Sequence, residues 1–68
     1  MDKNEMKRFR KVYDIFKEHD LHIIHVVGTY IVKDKNSFSG NKENKFYSLQ
    51  QVIDYYYPIT MDERLLSI

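Results

Sequence analysis

Apolar residues recur at three- and four-residue steps at the start of the chain: Met6, Phe9, Val12, Tyr13 and Phe16. At about 100° per residue they fall on one side of a helix, which the spacing places over residues 3–19. Asp2 stands as its N-cap, and Glu5 follows at capping-box spacing. Lys3, Lys7, Arg10, Lys11 and Lys17 take the other side. Asp14 lies four residues after Arg10 and Glu18 four after Asp14, so the basic face is expected to be partly neutralised by its own neighbours.

The pattern changes at residue 21. Leu21, Ile23, Ile24, Val26, Val27, Tyr30, Ile31 and Val32 are mostly β-branched or aromatic, which favours strand over helix. The helix should end near His19–Asp20. Gly28-Thr29 interrupts the run, and a glycine at the first central position suits a type II′ hairpin turn. Val27 would then pair beside Tyr30 and His25 beside Val32. A single long strand with a bulge at Gly28 is the rival reading.

Residues 34–44 are polar and read as a loop, with Phe38 as its one large apolar side chain. Lys45-Phe46-Tyr47 is short and extended. Ser48 then looks like an N-cap, with Gln51 at the capping-box position. Leu49, Val52, Ile53 and Tyr56 form an i, i+3, i+4, i+7 set, predicting a second helix over residues 49–56. Pro58 is expected to stop it, because Tyr57 before proline is pushed out of the α region. Thr60 and Glu63 repeat the capping-box spacing. Residues 61–67 are expected to form a last turn or two that docks Leu65, Leu66 and Ile68 on the core. These elements predict an α+β fold: an N-terminal helix on a small antiparallel sheet of two or three strands, then a short helix and a docked tail, as a single domain over residues 1–68.

Composition narrows the function classes. The chain has 68 residues, 11 Lys+Arg against 10 Asp+Glu, and no cysteine. So short a chain buries roughly 60% of its unfolded surface. Without a disulfide or thiolate-metal staple it needs a compact core, a partner chain, or both. A net charge of +1 argues against a strong polyanion binder and against an acidic mimic of DNA. No apolar run approaches the ~18 residues that span a bilayer, and Met1-Asp2-Lys3-Asn4-Glu5 does not read as a signal peptide. A cytoplasmic location is the expectation. Abundant Lys, Asn, Asp, Ile and Tyr favours a bacterial or mobile-element source by association.

The candidate chemistry is sparse. His19, His22 and His25 are evenly spaced, but on a strand His22 and His25 point to opposite faces, so the spacing works against a metal site. There is no cysteine nucleophile, no GxSxG elbow and no glycine-rich phosphate loop. No catalytic residue, no cofactor and no metal ligand is expected, and the chain reads as non-enzymatic. Tyr55, Tyr56 and Tyr57 stand out. Three consecutive helical residues fan over about 200°, wider than a core-facing stripe. At least one ring must leave the core, and exposed tyrosine is an interface-forming residue. Tyr55, Tyr57 and Phe38 are therefore the expected partner-binding residues. Lys3, Lys7, Arg10 and Lys11 are the candidate nucleic-acid contacts.

Gly28 to Ser37 resembles the strand of Src-homology 2 domains that carries their phosphate-binding arginine. Phe46 to Tyr56 resembles the segment leading into and forming their second helix. The two cover under a third of the chain. The family places several strands between them where this chain has only residues 38–45, and Lys33 stands where arginine is required. The bidentate guanidinium fork is then missing, and the resemblance transfers no site.

The expected function is a small protein-binding module, a regulator or inhibitor of phage or plasmid type that acts by surface occlusion or dimerisation. The alternative is a small nucleic-acid-binding regulator using the basic face of the first helix.

Overall fold

A computed structural model describes residues 2–34 and 43–68. Helix α1, Lys3–Glu18, leads into strand β1, Leu21–Val26, and strand β2, Thr29–Asp34. Strand β3, Glu43–Phe46, helix α2, Leu49–Thr60, and a 3-10 helix, Glu63–Ser67, complete the order. The three strands form one antiparallel sheet in the order β1-β2-β3, and the fold is mixed α+β as the pattern predicts.

Local chemistry explains the boundaries. Asp2 caps α1, its carboxylate accepting the Glu5 N–H at 2.8 Å. Ser48 caps α2 by accepting the Gln51 N–H at 3.2 Å, and Gln51 reaches back to accept the Tyr47 N–H at 3.0 Å. These bonds satisfy donors that have no partner within a first helical turn. α1 ends at His19, and Asp20 turns the chain with φ at 58°.

Val12, Ile15 and Phe16 of α1 join Leu21, Ile23, Tyr30 and Val32 of the sheet. Leu49, Val52, Ile53 and Tyr56 of α2, with Leu65 of the tail, close the core. Phe16 meets Tyr56 edge-on, ring centroids 5.2 Å apart. The stripe read for α2 is the one that is buried. In α1 it is rotated. Ile15 enters the core because the C-terminal 3-10 helix also packs on α1, which widens the buried sector. Met6, 120° from Val12 and near the helix start, is exposed instead.

The sheet is a hairpin, not a bulged strand, but its turn is Val27–Gly28 rather than Gly28–Thr29. Val26 pairs with Thr29 and His25 with Tyr30. Gly28 takes φ of 71°, the glycine position of a type II turn. The physical reason is cross-strand matching. The expected register sets Ile23 against Asp34, whereas the observed one sets Ile23 against Val32, and both are buried.

Pro58 does not stop α2; it lies inside it, and the helix runs on to Thr60. Proline removes the bond to the carbonyl four residues back, that of Asp54. Asp54 and Pro58 are both exposed, so the missing bond falls on the solvent side of α2. Beyond it, the Thr60 hydroxyl donates to the Tyr56 carbonyl at 2.9 Å and the Met61 N–H donates to the Tyr57 carbonyl at 2.7 Å. Met61, at φ of 54°, ends the helix in the left-handed region.

The C-terminal cap also differs from expectation. Asp62, not Thr60, caps the 3-10 helix, accepting the Arg64 N–H at 3.1 Å. Leu65 is buried and Ile68 packs against the core, but Leu66 points outward. No described helix is long and apolar enough to cross a membrane.

Candidate functional site

The tyrosine fan divides as its helical angles require. Tyr56 points into the core, and its hydroxyl accepts from Asn44 Nδ2 of β3 at 3.0 Å. Burial raises the Tyr56 phenol above its ordinary range. Tyr55 and Tyr57 leave in opposite directions. Tyr55 is 48% exposed, and its ring packs against Phe46 at 5.4 Å and Tyr56 at 4.9 Å, which are themselves in contact. Tyr57 is half-buried against the core. The two expected anchors therefore lie on opposite flanks of α2 and do not form one surface. Phe38 lies outside the described residues.

Phe46 is the residue missed by sequence reading. In the chain it looks like part of a short extended link. The β2–β3 pairing sets it opposite Tyr30, on the helix-bearing side, where it braces Tyr55. Ile59 lies one turn beyond Tyr55 along the same flank and is exposed.

The basic face of α1 is less neutralised than the i+4 spacing suggests. Among the described residues, Lys3, Lys7, Arg10 and Lys11 make no ion pair. Glu18 instead reaches Arg64, with Oε2 2.9 Å from Nη1. All four cations are exposed, but the aromatic side chains of α1 turn away from them. Phe9 sits 6.1 Å from the Tyr30 ring and 6.3 Å from the His25 ring, and Tyr13 sits 5.8 Å from His22.

The three histidines do not converge. His22 and His25 are occupied by those separate ring contacts. His19 Nε2 lies 3.0 Å from Asp62 Oδ2. Among the described residues no group of three His, Cys, Asp or Glu side chains is placed to hold a metal ion.

Asp62 is an electrostatic hub. Arg64 donates Nε to Oδ1 at 3.0 Å and Nη2 to Oδ2 at 2.6 Å, while His19 bonds the same carboxylate. Arg64 first and His19 second hold the Asp62 carboxyl well below the usual carboxylate range, and Asp62 with Glu18 raises the Arg64 guanidinium. The cluster ties the end of α1 to the start of the 3-10 helix. A carboxyl depressed on folding stabilises fully above its unfolded pKa, here 3.8; the contribution begins to fade below that value and is lost as pH falls through the lower folded pKa. Asp62→Asn keeps the cap but not the charge. Its urea midpoint should lie below wild type at pH 7, and the gap should shrink by pH 2.5. Parallel pH profiles for the two proteins would dismiss the electrostatic account.

No family model, no curated protein and no solved structure matches the chain. The functional reading therefore rests on the surface itself.

Proposed function

We propose that the chain is a non-enzymatic protein-binding module, a small regulator or inhibitor of phage or plasmid type that works by occluding a partner's surface. The observation that carries this reading is the Tyr55 ring. It is half-exposed yet packed on one side against Phe46 and Tyr56, so part of its rotamer freedom is already lost before binding. A rigid tyrosine with an apolar flank and a polar tip is the usual anchor of a protein interface. Exposed Ile59 extends the same flank. Partners are another protein or a second copy of this chain.

The test pairs association with folding. Sedimentation equilibrium across a hundredfold dilution reads self-association, and affinity capture from the source cell reads a heterologous partner. Tyr55→Ala should weaken either association by about tenfold or more while its thermal melt stays near wild type. Tyr57→Ala, which strips core packing, should lower the melt instead. Wild-type association by Tyr55→Ala would end the aromatic-anchor reading.

A second reading is favoured by one observation: Lys3, Lys7, Arg10 and Lys11 on α1 make no ion pair among the described residues. In that reading the chain is a nucleic-acid-binding regulator. Affinity for a duplex would then fall linearly with salt on a log–log plot, with slope about −0.9 per phosphate contacted. A flat salt series removes it.

A further inference from the structure

At the hairpin end of the molecule, the first turn of α1, the β1–β2 turn and the entry to α2 surround a cleft. Glu5, His25, Val27, Gly28, Tyr30, Tyr47 and Ser48 line it. Its floor is Tyr30, only 5% exposed. The Tyr30 hydroxyl makes no hydrogen bond among the described residues. No fully enclosed side-chain nitrogen or oxygen among them lacks a partner, so this oxygen opens to the solvent of the cleft. A ligand that displaces the solvent of the cleft must therefore offer this oxygen a hydrogen-bond partner in return.

Glu5 supplies a second unmet group. Its backbone N–H is used by the Asp2 cap. Glu5 is partly buried as a residue, and its carboxylate makes no ion pair or hydrogen bond among the described residues. Arg8 is a cation close enough to act on Tyr30, and its guanidinium is turned to Gln50 Oε1 at 3.0 Å. Burial first, then the Glu5 charge, raises the Tyr30 phenol, with Arg8 opposing. Tyr30 therefore stays protonated, and Glu5 is the charge that a ligand in the cleft would meet.

The walls add a third element. The His25 ring packs on Tyr30 at a centroid distance of 4.7 Å, and the exposed Tyr47 ring borders the opening. The face of a tyrosine ring carries negative charge density and attracts organic cations. The Glu5 carboxylate, the Tyr30 oxygen and the Tyr47 ring around one concavity complement the same chemistry, while His25 packs against Tyr30. A pocket for an anion would show the reverse, with cations turned inward.

The geometry points to this cleft as a binding site for an organic cation of the alkylammonium class, with Glu5 as its counter-charge and the Tyr30 oxygen as acceptor for an ammonium N–H. The ammonium arrives either on a free amine or on a lysine side chain. Neither Tyr55 nor the basic face of α1 takes part, so the inference stands apart from both readings above.

The test is a titration of full-length protein followed by backbone and tyrosine NMR shifts. The probes are n-butylammonium chloride, Nα-acetyl-lysine methylamide and, as the anionic control, sodium butyrate. Saturable shifts centred on Glu5, Gly28 and Tyr30 are expected with butylammonium, with a dissociation constant on the order of millimolar for so small a ligand. Glu5→Gln should weaken binding by about tenfold or more, and Tyr30→Phe by about threefold or more, both with spectra and melts that report an intact fold. Tighter binding of the lysine derivative than of butylammonium assigns the site to a peptide side chain; equal or weaker binding assigns it to a free amine. Absence of saturation, unchanged binding by Glu5→Gln, or equal shifts with butyrate overturns the site.

Discussion

Phe16→Ala should leave most of the chain unfolded at room temperature. Phe16 has no exposed surface and stands where α1, α2 and the sheet meet, its ring edge-on to Tyr56 at 5.2 Å. Truncating a buried phenylalanine costs about 3–5 kcal/mol through lost transfer energy and the cavity left behind. Small domains have about 5 kcal/mol or little more to lose, and this one has no disulfide to hold it. Lys7→Ala and Lys11→Ala alter exposed positions and should shift stability by under about 0.5 kcal/mol. Urea unfolding of the three variants decides it, and a Phe16→Ala midpoint equal to wild type would refute this core. Phe9→Ala belongs between them, because Phe9 is only half-buried.

Much of this fold is legible in the sequence because its signals are local. Asp2 and Ser48 announce two helix starts, and both side chains make the expected bond. The set Leu49, Val52, Ile53 and Tyr56 is buried as a whole. The misreadings arise where a distant element decides. Ile15 is buried because the tail returns to α1. The hairpin turns at Val27–Gly28 because Ile23 must meet Val32, a match between strands that a glycine alone does not reveal. Pro58 is tolerated because it sits on the wet side of α2, which only the helix's docking shows.

The candidate surfaces divide in the same way. That Tyr55 and Tyr57 cannot share the core with Tyr56 follows from helical geometry alone. That Phe46 braces Tyr55 does not, since it depends on the β2–β3 register. The cleft around Glu5 and Tyr30 has no sequence signature. Its lining residues are spread from the first turn of α1 to the cap of α2, and none forms a motif with its neighbours. The expected neutralisation of the α1 basic face does not form: Asp14 makes no ion pair with Arg10 among the described residues, and Glu18 pairs instead with Arg64 from far along the chain.

Leu65 and Leu66 are chemically identical neighbours, and substitution should separate them sharply. A 3-10 segment of five residues has poor hydrogen-bond geometry and little stability of its own. Packing must hold it. Leu65 is 1% exposed within the core, and Leu66 is 62% exposed. Leu65→Ala should cost about 2–5 kcal/mol, and Leu66→Ala under about 0.5 kcal/mol. The effect of Leu65 should also reach beyond the tail. Undocking it releases Arg64 from Glu18 and His19 from Asp62, the bonds that fasten the end of α1. Amide hydrogen exchange should therefore show lost protection in the last turns of α1 and α2 for Leu65→Ala, with no change for Leu66→Ala. Loss confined to residues 63–68 would mean that the tail is an appendage and that the core closes without it.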